Sequence, residues 1–218
     1  VPEDATGNVT IAVEGKDYTA DINNGTAIFE LGNNVTVGLH NITVTYNGDD
    51  NYNDVTKNDA IIVTKGDIDP DDIVVEPVDA SYGNVTIEVT VPEDATGNVT
   101  ISIEGVDYTA QIINGTALFE LGNNITAGPH NITVTYNGDD NYNEVTKKDN
   151  ITVTKADIDP ADVKVNVINS TYGNVTIEVT VPEDATGNIT ITIADKNFTA
   201  QIINGTALFE LGKNITVG

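Results

Sequence analysis

The chain has 218 residues, and 34 acidic side chains against 9 basic ones give a formal net charge of -25. So acidic a surface lacks the Lys and Arg that phosphate or anionic lipid contacts require, which argues against nucleic acid and anionic lipid as partners. Cys, Met and Trp are absent while Thr, Val, Ile, Asn, Gly and Asp dominate, a mixture for strands and tight turns rather than helices.

The string Val-Pro-Glu-Asp-Ala-Thr-Gly-Asn-Val-Thr-Ile begins at Val1 and again at Val91, and returns at Val181 with one Val replaced by Ile189. The period is 90 residues, and 67 of the 90 positions in 1–90 are identical in 91–180. Such a period implies tandem structural units. Patterning lapses at Lys65-Gly66-Asp67-Ile68-Asp69-Pro70 and at Lys155-Ala156-Asp157-Ile158-Asp159-Pro160, where Pro stops pairing, so these are the expected linkers. In that phase 66–155 is one complete repeat, 1–65 lacks its first two strands and 156–218 lacks its last two. Half repeats expose core faces, so the parent protein is expected to continue on both sides.

Within the complete repeat, alternation of period two marks seven strands. Ile73 to Ala80 is the first, and Pro77 within it points to an edge strand or a bulge. Val85, Ile87, Val89 and Val91 face inward on the second. Val99, Ile101 and Ile103 do so on the third. A tight turn near Gly105 leads to Tyr108, Ala110 and Ile112 on the fourth. Asn114-Gly115 carries the strongest hairpin signal, since both positions accept positive φ. Ala117, Phe119 and Leu121 follow, then Ile132, Val134 and Tyr136, and Ile151 with Val153 closes the set. The expected class is all-β, as tandem immunoglobulin-like sandwiches of about 90 residues. An up-and-down barrel satisfies the alternation too, whereas a solenoid would carry a much shorter period.

The pattern YTAxIxNGTAxFELxxxxxxGxHNITVTYNGDxNY, read at Tyr108–Tyr142 and at Tyr18–Tyr52, resembles the bacterial-type Ig-like repeats of adhesin-like surface proteins in methanogenic archaea. The resemblance covers the whole chain. It implies an extracellular, multi-repeat protein held at the cell surface, called an adhesin by analogy. Unlike antibody domains, these repeats have neither the paired Cys nor the core Trp, so immune-type recognition gains no support.

Three kinds of side chain are candidates for chemistry. With strands alternating in direction, the acids Asp67, Asp69, Asp71, Asp72, Glu93, Asp94, Asp139 and Asp140 gather at one pole of the repeat. A surplus of oxygen ligands there makes structural Ca²⁺ the one candidate cofactor; none is required by any other motif. Sixteen Asn-x-Ser/Thr triplets occur. The N-glycosylation candidates are Asn8, Asn34, Asn41, Asn84, Asn98, Asn124, Asn131, Asn150, Asn169, Asn174, Asn188, Asn197 and Asn214. Asn24, Asn114 and Asn204 sit in hairpin turns and are set aside. His40 and His130 share one repeat position without a Ser or Cys partner, which reads as turn packing rather than catalysis. Lys57, Lys147, Lys65 and Lys155 recur between repeats, but an isopeptide bond needs a buried Lys beside Asn and a carboxylate. No nucleotide or hydrolase fingerprint is present, so the protein is read as non-enzymatic.

The function expected from these features is a stalk or filament of a cell-surface protein, whose partners are neighbouring repeats and other copies in a fibre. The alternative is an adhesive module for glycans or neighbouring cells, favoured by Tyr52 and Tyr142 in exposed Asn-Tyr-Asn loops.

Overall fold

A strand persists only where its backbone N–H and C=O groups find partners across a ladder, and that requirement sorts the three sequence copies. The computed structural model describes residues 1–215, and the packing separates two units, Val1–Lys155 and Ala156–Gly218. In the first, β1 (Asn8–Val13), β2 (Lys16–Asp21), β3 (Gly38–Tyr46) and β4 (Val55–Val63) form one antiparallel sheet in the order β2-β1-β3-β4. Then come β5 (Val74–Asp79), β6 (Val85–Thr90), β7 (Asn98–Ile103), β8 (Val106–Gln111), β9 (Thr116–Gly122), β10 (Gly128–Tyr136) and β11 (Val145–Val153). They make two sheets, β5-β6-β9 and β11-β10-β7-β8. The second unit holds β12 (Lys164–Asn169), β13 (Val175–Thr180), β14 (Asn188–Ile193), β15 (Lys196–Gln201) and β16 (Thr206–Gly212), as β12-β13-β16 and β14-β15.

Strands β5 to β11 are an immunoglobulin-like β-sandwich. Between the sheets lies one continuous core in which Val85, Ile87, Val89, Val99, Ile101, Phe119, Ile132, Val134 and Tyr136 are all buried. These are the inward positions of the sequence pattern. Completely burying each aliphatic side chain stabilises by about 1.5–3 kcal/mol, which stands in for the missing disulfide. Pro77 lies on β5, an edge strand whose register against β6 shifts between Pro77 and Asp79. Both expectations for that proline are met at once, because an edge strand tolerates a missing donor and a bulge absorbs it.

The hairpin expected at Asn114-Gly115 forms, but it closes only one bridge, Ile113 with Thr116. Asn114 at φ 51° and Gly115 at φ 73° give the two left-handed residues of the turn. Beyond that bridge the chain changes sheet, because β8 has paired with β7 and β9 with β6. Gly115 is wedged against the loop before β7. A Cβ there would lie 3.2 Å from both the Glu93 Cα and the Val91 carbonyl oxygen. Gly105, at φ +78° in the β7–β8 turn, has nothing within 4 Å of such an atom.

The two glycines therefore separate conformational strain from collision. Gly105→Ala should cost about 1–2 kcal/mol, the left-handed penalty alone. Gly115→Ala should cost about 1–3 kcal/mol more, because backbone must also move. Urea denaturation of the two variants tests the order; equal midpoints would mean that the wedge contributes nothing.

Candidate functional site at the loop pole

Three segments meet beyond one end of the sandwich: the β6–β7 loop, the β10–β11 loop, and the linker that leads from β4 into β5. Asp139 in the β10–β11 loop joins the first two. Its Oδ2 accepts the Thr96 backbone N–H and the Thr96 hydroxyl, both at 2.8 Å. Its Oδ1 accepts the N–H of Asn141 at 2.8 Å and of Tyr142 at 2.7 Å, an Asx-type turn that shapes the loop. Burial works against the Asp139 charge, yet the Thr96, Tyr142 and Asn141 donors outweigh it and hold the carboxyl well below the usual range. Asp49 repeats the clasp in the first copy, accepting the Thr6 N–H at 2.7 Å, its hydroxyl at 3.0 Å, and the N–H groups of Asn51 and Tyr52.

Beneath the clasp the Tyr136 hydroxyl is buried and makes no hydrogen bond of good geometry. It faces Asp139; burial first, then that carboxylate, push its ionisation well above the ordinary phenol range. Tyr142 reaches back across the pole, its hydroxyl donating to Asp94 Oδ2 at 2.8 Å. The same aspartate oxygen accepts Asn33 Nδ2 of the preceding copy at 3.1 Å.

The linker is pinned to this pole rather than strung past it. Gly66 N–H donates to the Asn141 carbonyl at 2.8 Å, and Asn143 N–H donates to the Gly66 carbonyl at 2.9 Å. These make Gly66 a one-residue parallel bridge to Tyr142. Asn143 Nδ2 donates to Asp67 Oδ1 at 2.8 Å, and the Lys65 ammonium donates to the Asp139 backbone carbonyl. Ile68 drops into the core, only 5% exposed. Asp69 then caps a short 3-10 turn, Pro70–Asp72, by accepting the Asp71 N–H at 2.9 Å. The linker expected from its lapse in patterning is thus an ordered entry segment: Gly and Pro interrupt alternation without releasing the chain.

Of the eight acids singled out in the sequence, Asp94 and Asp139 share the partner Tyr142, and Asp67 joins them through Asn143. Asp69 serves the 3-10 turn on which Asp71 lies with Asp72, while Glu93 and Asp140 are exposed in their loops. Among the described residues no group of three or more His, Asp or Glu is arranged to hold a metal ion.

The histidines brace the loop before β10. His130 Nε2 lies 2.7 Å from the Thr126 carbonyl oxygen and Nδ1 lies 3.3 Å from Glu104, which also accepts the Thr126 hydroxyl at 2.6 Å. His40 repeats this with Thr36 and Glu14. With both ring nitrogens facing loop and turn oxygens, neither is placed to activate a nucleophile. Lys147 donates to the Ile73 carbonyl at 2.6 Å, and Lys57 pairs with Asp59 at 3.1 Å.

The sequon asparagines at the thirteen candidate positions are exposed except Asn8 and Asn169, which are half-buried. For Asn214 the sequon threonine lies outside the described residues. The Thr96–Asp139 clasp escaped sequence reasoning. Its one trace is the recurrence of Thr-Gly-Asn and Asn-Gly-Asp at a fixed offset, Thr6 to Asp49 and Thr96 to Asp139, 43 residues apart in both copies.

The sandwich and its disulfide-free core define the class, an immunoglobulin-like domain. A family model for the bacterial Ig-like domain (group 3) matches residues 73–154, from just before β5 to just after β11. No curated protein matches the chain. The fold is one generally found without enzymatic activity, and among the described residues no helix is long and apolar enough to cross a membrane.

Asp139→Asn should destabilise by about 2–3 kcal/mol, since an amide cannot accept four donors as a carboxylate does. Because the folded carboxyl titrates below its ordinary 3.8, its contribution is complete above that pH and drains away as pH falls through the lower folded value. The gap in urea midpoint between the native protein and the variant should therefore be constant at neutral pH and close under acid. A gap that persists under acid would remove the charge from the account.

Proposed function

We propose that the chain is part of a non-enzymatic extracellular stalk or filament of a cell-surface adhesin-like protein, built from repeats at 1–65, 66–155 and 156–218. The observation that carries this reading is the docked linker. A spacer must transmit position from one module to the next, and here Lys65, Gly66 and Asp67 are tied to the following repeat by backbone and side-chain bonds. A flexible tether would instead be Gly- and Ser-rich and free of such contacts. Near-identity between copies supports it too, because reach requires sameness whereas a binding site requires one special copy. The net charge of -25 keeps neighbouring chains soluble and apart.

A second reading, adhesion to glycans, is favoured by a cleft of about 280 Å³ at the joint, lined by Tyr142, Asn33, Asp94 and Asn141. An aromatic ring flanked by amides and a carboxylate is the surface a sugar uses. A selective hit on a glycan array supports that reading, and silence supports the stalk.

The joint itself is measurable, since a chain with no cysteine accepts spin labels only where they are introduced. Lys16→Cys and Lys148→Cys, both exposed, place one label in each copy. Pulsed dipolar spectroscopy should give one narrow distance, broadened when Asn33→Ala and Asn143→Ala are added. Gly66→Ala should leave it narrow: the backbone there is not left-handed, a Cβ would meet the Tyr142 ring at 3.4 Å, and Ala156 already holds the equivalent place. A broad distribution in the unsubstituted background overturns the stiff joint.

A further inference from the structure

We infer that the outer face of the β11-β10-β7-β8 sheet is the glycan-bearing face of the repeat, and that Asn131 and Asn150 on it compete for a single N-linked glycan. The inference rests on export of the chain, as proposed above, and adds where the modification falls. Register fixes the face. Asn98 stands opposite Gln111, Thr100 lies between Thr109 and Thr135, and Thr135 lies opposite Thr146. A threonine row therefore crosses all four strands, with hydroxyls paired at 3.0 Å (Thr100 with Thr109) and 3.1 Å (Thr135 with Thr146). The next row runs Asp107, Ser102, Thr133, Lys148. Those two end residues, one of each sign, are the only charges on the face. In a chain of net charge -25 a neutral amide and hydroxyl face is a marked exception.

In a strand, residues i and i+2 project on the same side, so Asn98 with Thr100, Asn131 with Thr133, and Asn150 with Thr152 present whole sequons outward. The opposite sheet differs. None of β5, β6 or β9 contains an asparagine, and Glu76, Glu88 and Glu120 stand on its surface. The strands thus divide into one face with whole sequons and one acidic face, at whose margin Asn84, just before β6, places only its Thr86 on the sheet.

Asn131 and Asn150 are direct cross-strand partners. Their Cβ atoms are then about 4.5–5.5 Å apart, the width of one sugar ring, so a glycan on either covers the other's amide. Both line a shallow open depression with Thr133 and Lys148. The first copy lacks the rivalry: Asn41 faces Ala60, and Ile62 stands where the second copy has Thr152. The reaction needs an oligosaccharide carried on a lipid phosphate or pyrophosphate. The Asn Nδ2 forms a bond to the sugar's anomeric carbon, the bond from that carbon to the phosphate oxygen breaks, and the lipid phosphate leaves with the electron pair. One amide proton passes to a base of the transferase, and nothing is oxidised or reduced.

The test is intact and peptide mass spectrometry of the chain exported from cells that modify a reporter Asn-x-Thr in the same preparation. Asn41 and Asn98 should carry glycan, and no molecule should carry it on both Asn131 and Asn150. Thr133→Ala, which destroys the Asn131 sequon, should raise Asn150 occupancy and leave Asn41 unchanged. An unmodified face beside a modified reporter overturns the assignment, and doubly occupied molecules overturn the competition. Either result leaves the stiffness of the joint untouched, just as a broad label distance would leave these masses unchanged.

Discussion

Four hydrogens converge on the Asp139 carboxylate, and the order of the whole loop pole follows from that convergence. The carboxylate holds the β10–β11 loop in the shape that offers the Asn141 carbonyl and the Asn143 N–H to Gly66. It ties that loop to the β6–β7 loop through Thr96, and it sets the ring of Tyr142 where its hydroxyl meets Asp94. The groups that dock the linker, the Asn141 carbonyl and the Asn143 N–H, thus lie on the loop that this carboxylate shapes. Part of the pole's acidity is in this sense internal wiring: Asp139, Asp94 and Asp67 accept backbone, hydroxyl and amide donors, while Glu93 and Asp140 face solvent.

The repeats show how far a local sequence governs its own structure. Thr116–Gly122 and Thr206–Gly212 are strands because β6 and β13 lie beside them. The first copy's Thr26–Gly32 differs only by Ile28 for Leu, yet it pairs with no strand and its last residue opens a 3-10 turn. The buried side chains of that copy are Ala5, Val9, Ile11, Val13, Val35 and Tyr46, with Phe29 and Val44 only partly covered. The Asp49 clasp forms in that copy as well.

Charge is distributed by the same division. Acids occupy the loops and the β5-β6-β9 surface, whereas the four-stranded face is neutral and lined with threonine. The acids give repulsion between chains, and the hydroxyl-rich face of the complete copy carries Pro129 as its exposed apolar residue.

Sequence alone settled what depends on short range. The period of 90, the seven strands of 66–155, the inward set from Val85 to Tyr136, the edge character at Pro77 and the turn at Asn114-Gly115 all follow from alternation and from the φ that Gly, Asn and Pro allow. Tertiary structure decided which strands pair, that β8 and β9 part into different sheets after one bridge, and that the Asp-Ile-Asp-Pro linker is docked. It also decided which donors the acids meet, giving Asp139 to Thr96, Asp94 to Tyr142 and Asp67 to Asn143. Partners 43 or more residues away supply those donors, and no local pattern encodes which distant N–H a carboxylate will meet.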